Sequence, residues 1–130
     1  MKYSVVIRNR NEERYIGHCI QSVVDFLGDD VQIILVDNES TDNSIRIVNT
    51  FDYLKINKVS IKKNSYSPGK SLNMGIERCD NPITLIISAH CEITKFGQWE
   101  EQEFDKRENP INGENVVAVW GKQIPIWDGK

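Results

Sequence analysis

Cysteine and histidine are both scarce in this chain of 130 residues, with three of the first and two of the second. Cys19, Cys79 and Cys91 are odd in number, and no spacing among them resembles a zinc site or a redox pair. Reduced thiols in a cytosolic protein are the simplest reading. Long apolar runs are missing too: none approaches the roughly 18 residues that span a bilayer. The start, Met1-Lys2-Tyr3-Ser4, enters a strand without the apolar segment of a signal peptide. Positive charge is not in excess, since 16 Lys and Arg face 19 Asp and Glu for a net charge of -3. That balance argues against general nucleic-acid binding, which needs a basic face, but leaves room for a small anion held by a few local cations. Glycine-rich phosphate loops are absent as well. The turn Asn9-Arg10-Asn11-Glu12-Glu13 has no glycine, which excludes a G-x-G-x-x-G site. Pro68-Gly69-Lys70-Ser71 carries the end of a G-x-x-x-x-G-K-[ST] loop without its first glycine or the strand that should precede it. There is no internal repeat and no low-complexity segment.

What remains is an ordinary globular composition, 39% hydrophobic and 27% charged, in a chain the size of one domain. Val5, Val6 and Ile7 form a short β-branched run in residues 3–9, as in a strand buried on both faces. The period then changes. Ile16, Cys19, Ile20, Val23, Val24 and Leu27 fall on one face of a helix, with Asn11 as its expected N-cap, Glu12 and Glu13 at its positive end, and Gly28 as its stop. A second strand is expected over 32–36, a helix over 42–51 capped by Ser40 or Thr41, and a third strand over 54–61. Ser67 and Pro68 open a third helix as N-cap and first residue, with Leu72, Ile76 and Cys79 as its buried stripe. Asn81-Pro82 breaks the chain before a fourth buried strand at 83–87. An acidic helix over 96–107 and a last strand over 116–120 complete the pattern. Strands that alternate with helices predict right-handed crossovers and a mostly parallel α/β sheet flanked by helices.

In such a sheet, ligands bind beyond the carboxyl ends of the strands, and four polar clusters fall there. Arg8, Asn9, Arg10, Asn11 and Glu12 follow the first strand. Asp37, Asn38, Glu39 and Ser40 follow the second. Lys70 stands in the first turn of the third helix, and Ser88 and His90 follow the fourth strand. Each has a plainer reading: Asn11 and Ser40 as caps; Arg8, Arg10, Glu12 and Lys70 as solvated charges; His90 as a structural residue. Asp37 is harder to dismiss, because a carboxylate at the end of a buried strand costs free energy unless it is hydrogen-bonded or paired. Lys70 opposes the helix dipole unless an anion joins it there. His18 lies on the polar face of its helix and reads as surface. Cys19 and Cys79 read as core, and Cys91 has no catalytic partner.

Ser4-Val5-Val6-Ile7-Arg8-Asn9-Arg10-Asn11-Glu12 and Ile34-Leu35-Val36-Asp37-Asn38-Glu39-Ser40-Thr41-Asp42 resemble the opening of a family 2 glycosyltransferase with the GT-A fold. Pro68-Gly69-Lys70-Ser71-Leu72-Asn73-Met74-Gly75 resembles that family's third block. Leu85-Ile86-Ile87-Ser88-Ala89-His90 falls where the family has a strand running into Asp-x-Asp. The resemblance implies a nucleotide-binding, Rossmann-like domain and a nucleoside-diphosphate sugar as donor. Arg8, Arg10, Glu12, Asp37 and Asn38 would surround base and ribose, and Lys70 would lie near the diphosphate. Ser88 and His90 would stand at the metal motif, with His90 as the ligand to a divalent ion, Mn²⁺ or Mg²⁺. Both aspartates of that motif are replaced here, and the Ser-Ala-His-Cys version resembles bacterial sequences linked to surface polysaccharides.

Family members invert the anomeric centre with a carboxylate base, and that base and the acceptor-binding part lie past the last strand found here. The sequence therefore names no catalytic residue, and residues 1–130 are expected to form a single nucleotide-sugar-binding domain lacking the acceptor-binding part. The leading expectation is transfer of sugar to a glycan or lipid-linked acceptor in bacterial surface polysaccharide synthesis, in the cytoplasm or peripherally at the membrane. The alternatives are a non-catalytic nucleotide or nucleotide-sugar binding module, an inactive fragment, and a structural α/β domain with no ligand.

Overall fold

The computed structural model describes residues 3–94. Four strands form one sheet: β1 (Tyr3–Asn9), β2 (Gln32–Asp37), β3 (Lys55–Ser60) and β4 (Ile83–Ser88). They are all parallel, in the order β3-β2-β1-β4. Between them run α1 (Ile16–Leu27), α2 (Ser44–Val48) and α3 (Pro68–Ile76), with a 3₁₀ turn at Lys63–Ser65. The parallel α/β architecture expected from the alternating pattern is the one observed. The helix expected over 96–107 and the strand expected over 116–120 lie outside the described residues. No helix among the described residues is long and apolar enough to cross a membrane.

The β-branched runs explain the centre of the sheet. Val5, Val6 and Ile7 of β1 and Ile33, Ile34 and Leu35 of β2 are fully buried, each adding about 1.5–3 kcal/mol relative to exposure. Alternation sends Val6, Ile34, Val36 and Val59 to one face, where they pack with Ile61, Met74 and Cys79. The other face is covered as well: Val5, Ile7, Ile33 and Leu35 have no exposed surface, and α1 buries Ile16, Cys19, Ile20 and Val23. Cys19 is core, as expected, and its burial, with Cys91 and Glu92 nearby, pushes the thiol up to about 12. His18 is exposed.

Several local expectations are corrected. Asn11 does not cap α1, whose N-cap is Tyr15 without a side-chain bond. Asn11 instead sits at φ 48 and its Oδ1 accepts from Thr41 N at 2.6 Å and Asp42 N at 3.2 Å. No acidic residue occupies the first turn of α1; the Glu12 carbonyl accepts from Tyr15 N and Ile16 N just before it. Gly28 does stop the helix, at φ 89. The second helix is shorter than expected, and neither Ser40 nor Thr41 caps it. Ser67 caps α3 by accepting from Lys70 N, with Pro68 at the start, as expected.

The face that α3 buries differs in part from the expected stripe: Leu72 and Cys79 are half-buried, with Cys79 against the core, but Ile76 is exposed. Ser71 and Gly75 are the buried positions and Ile76 is 42% exposed. Close approach is the reason, since a Cβ on Gly75 would lie 2.5 Å from Val6 Cγ1. β4 is half-buried rather than buried, with Ile86 49% exposed, because among the described residues it has a neighbour on one side only.

Candidate functional site

Register decides which polar residues meet. Asn9 lies opposite Asp37 across β1 and β2. Arg8 lies opposite Val36 on one side and Ser88 on the other. The ends of three strands therefore present Asp37, Asn9, Arg8 and Ser88 along one edge, as the two strand ends predicted from the sequence required.

Asp37 is 7% exposed, and the structure supplies the partners that such burial demands. Its Oδ1 accepts from Asn9 Nδ2 at 2.8 Å and from Ser40 Oγ at 2.6 Å, and its Oδ2 accepts from Ser40 N at 3.0 Å. Asn38, the next residue, is equally buried; its N–H donates to the Asn9 carbonyl at 2.9 Å, and its own carbonyl accepts from Arg10 Nη1 at 3.0 Å.

Two loops are stitched across this edge. Besides Asn11, the N–H groups of Glu12 and Glu13 donate to Ser44 Oγ at 3.0 Å and Asp42 Oδ2 at 2.9 Å, and Asn43 N donates to Glu13 Oε2 at 3.1 Å. Asn11 and Glu39 are the non-glycine residues with positive φ among those described, one in each loop. Such backbone costs of order 1 kcal/mol and persists where the surroundings hold it.

Burial disfavours the ionised form of Asp42, but hydrogen bonds from the Ser44 hydroxyl and backbone and from Glu13 N–H favour it more. The carboxyl therefore titrates below its ordinary 3.8. A depressed value means that the stabilisation is complete above pH 3.8 and fades as pH falls through the folded value. Asp42→Asn is expected to lose a few tenths to about 1 kcal/mol at pH 6 in urea unfolding. That gap should close as the pH is taken below 3.8; a gap that stays constant with pH would show that the charge contributes nothing.

The other predicted residues divide. Arg8 is half-buried and its Nη2 donates to Ser88 Oγ at 3.3 Å. His90 is exposed and its Nδ1 lies 3.7 Å from Glu12 Oε1. Lys70 is exposed, on the carboxyl side of the sheet, and among the described residues no contact joins its side chain to the cluster. Asn9 and Ser40, which orient Asp37, fall in the polar clusters expected at the strand ends, but the sequence assigned them no role in holding that carboxylate. The signal that could have found that role was the need of the buried Asp37 for donors.

Three buried side-chain atoms among the described residues have no hydrogen-bond partner: Arg8 Nε, Asn9 Oδ1 and Asn38 Oδ1. All three stand at this edge. Unpaired buried polar atoms are rare and costly, and these three concentrate at one place.

A divalent ion of the Asp-x-Asp type finds a poor donor set here. No group of three or more His, Cys, Asp or Glu side chains comes together among the described residues. Ser88 is a neutral hydroxyl already held by a guanidinium, which repels a second cation. His90 has Glu12 beside it and no other carboxylate partner among the described residues.

Comparison with known proteins agrees with the fold. The structure of S. aureus TarS 1-349 in complex with UDP-GlcNAc matches with a TM-score of 0.69 at 25% identity, over 91% of this chain and 37% of that one. Mannosyltransferase PcManGT from Pyrobaculum calidifontis, in complex with GDP-Man and Mn²⁺, matches with a TM-score of 0.60 over 72% of this chain and 28% of that one. Its 20% identity shows the fold alone. By sequence the chain is 29% identical over 129 residues to poly(ribitol-phosphate) beta-N-acetylglucosaminyltransferase TarS of Staphylococcus aureus (strain MW2), covering 96% of this chain and 22% of the relative. It is 34% identical over 130 residues to the poly(ribitol-phosphate) beta-glucosyltransferase of Bacillus spizizenii, covering 96% and 20%. The chain thus spans about a fifth of the length of these curated relatives. The profile described as Glycosyl transferase family 2 matches residues 4–102, from the first strand through the Ser-Ala-His segment, and the chain belongs to that family.

Proposed function

We propose that this chain is the donor-binding domain of a glycosyltransferase that moves sugar from a nucleoside-diphosphate sugar to a glycan or lipid-linked acceptor. The setting is bacterial surface polysaccharide synthesis, in the cytoplasm or at the membrane periphery. The observation that carries the reading is the clustering of Arg8 Nε, Asn9 Oδ1 and Asn38 Oδ1, buried and unpaired, around the fixed carboxylate of Asp37. Asn9 Oδ1 and Asn38 Oδ1 accept, whereas Arg8 Nε donates, so the edge offers both halves of the hydrogen bonding that a base, a ribose and a phosphate require.

In this reading Asp37, Asn38, Arg10 and Glu12 take the nucleoside, while Arg8, Ser88, Lys70 and His90 face the diphosphate. Departure of the nucleoside diphosphate leaves negative charge on its phosphates, and fixed cations at that place stabilise it without rearranging. The two-loop stitch keeps the donor groups in place before ligand arrives, which spares the ordering cost of binding. The relatives' names support the class: TarS is solved with UDP-GlcNAc, and the named relatives transfer sugars onto poly(ribitol-phosphate).

Calorimetric titration of the chain with UDP, GDP, CDP, ADP and dTDP tests the proposal. At least one should bind with a dissociation constant of about 1 mM or tighter, as expected for a formed small-ligand site. Asn38→Ala should weaken that binding by about tenfold. Absence of any binding across the five would favour the structural α/β reading.

A further inference from the structure

Arg8 is an unusual residue at the centre of this edge. It belongs to β1, in the middle of the sheet, and its register neighbours are Val36 and Ser88. A guanidinium stays charged at any ordinary pH, and burying one without a counter-charge is costly. Yet Arg8 makes no ion pair among the described residues. Its Nη2 donates to a neutral hydroxyl, Ser88 Oγ at 3.3 Å, and its Nε is buried with no acceptor. The acidic groups nearby are engaged elsewhere: Asp37 with Asn9 and Ser40, and Glu12 beside His90. Among the described residues the cation is left without a counter-charge.

Resting on the nucleotide-sugar reading, we propose that Arg8, steered by Ser88, is the cation that receives the donor diphosphate, and that nucleotide binding needs no divalent metal. Ser88 is the residue that makes this work. An aspartate at that position would pair with Arg8 and cancel its charge, whereas a serine orients the guanidinium and leaves the charge available. The same arrangement opposes a metal at Ser88, because a second cation there would be repelled by Arg8. A guanidinium also presents paired N–H donors that match two phosphate oxygens, which a point charge does not.

The decisive experiment is calorimetry on the full 130-residue chain with UDP, GDP, CDP, ADP and dTDP, once in EDTA and once in excess Mn²⁺. The nucleotide that binds should do so with dissociation constants within about threefold of each other in the two buffers. Arg8→Gln should weaken binding about ten- to a hundredfold in both, the loss expected for charge-assisted bonds to a phosphate. Arg8→Lys, which keeps the charge but not the fork, should fall between the two, and Ser88→Ala should cost only about three- to tenfold. Binding that requires Mn²⁺ and vanishes in EDTA would overturn the proposal and leave the nucleotide-sugar reading standing. So would a folded Arg8→Gln that binds like the parent in EDTA. No binding of any nucleotide in either buffer would remove both. The metal comparison on the unchanged chain decides the matter even if Arg8→Gln fails to fold.

Discussion

Replacing Asp37 by asparagine is expected to lower the stability of the chain by about 2–3 kcal/mol and its melting temperature by about 6–12 °C. The carboxylate accepts from three donors: Asn9 Nδ2, Ser40 Oγ and Ser40 N. An amide has one accepting oxygen and a donating NH₂ group. If the oxygen keeps Ser40 N, the NH₂ faces Asn9 Nδ2 and the Ser40 hydroxyl. The hydroxyl can turn to accept, but Asn9 Nδ2 loses its acceptor on that carboxylate, in a region where Asn9 is buried. Asn9 Nδ2 keeps its second acceptor, Ser40 Oγ at 3.1 Å, so the cost comes from the loss of charge-assisted bonds to the carboxylate, about 1.5–3 kcal/mol. Ser40→Ala removes a donor and leaves the carboxylate two of its bonds, so its cost should be nearer 1 kcal/mol. Urea unfolding of both variants checks the order; an Asp37→Asn chain within about 0.5 kcal/mol of the parent would mean that the network does not hold the edge.

The second large effect is expected at Gly75. Valine there should cost about 3 kcal/mol or more, and alanine about 1–2 kcal/mol, the latter after a gain of roughly 1 kcal/mol in helix propensity. The new Cβ would lie 2.5 Å from Val6 Cγ1, and 3.2 Å from both Val6 Cγ2 and Val36 Cγ2. Val6 is fully buried and β-branched, so it has no flexible end to move aside. The helix must shift instead, and Ser67 and Lys70 at its start shift with it. Gly69 supplies the control within the same helix, because a Cβ there meets nothing within 4 Å. Gly69→Ala should leave the unfolding midpoint unchanged or slightly raised. Equal effects at the two glycines would show that close approach to β1 is not what Gly75 provides.

These two predictions rest on features of different legibility. The carboxylate at the end of a buried run announced itself in the sequence, because Asp37 after Ile33, Ile34, Leu35 and Val36 is either paired or costly. Gly75 announced nothing: a glycine in a helix carries no hydrophobic signal, so apolar period pointed to Ile76, which is 42% exposed. The caps failed for a related reason. Asn11, Ser40 and Thr41 all have side chains that suit an N-cap, and choosing among caps, turns and cross-loop bonds depends on what lies opposite. Opposite Asn11 lie Thr41 and Asp42, 30 and 31 residues away.

Over residues 3–94 the order of strands and helices and the edge they share were legible in the sequence. Runs of β-branched residues, the switch to helical period, Gly28, and the Ser67-Pro68 start act within a few positions along the chain, where propensity and patterning operate. Alternation of strand and helix then forces parallel pairing and collects every strand end on one side. The tertiary structure alone decided the pairings across that side. Strand order and register set Arg8 against Ser88, 80 residues apart, and Asn9 against Asp37. Among the described residues they also left Arg8 with a hydroxyl in place of a counter-ion. No local rule carries that information, because the energy of a buried charge depends on which groups the fold brings within a few ångströms of it.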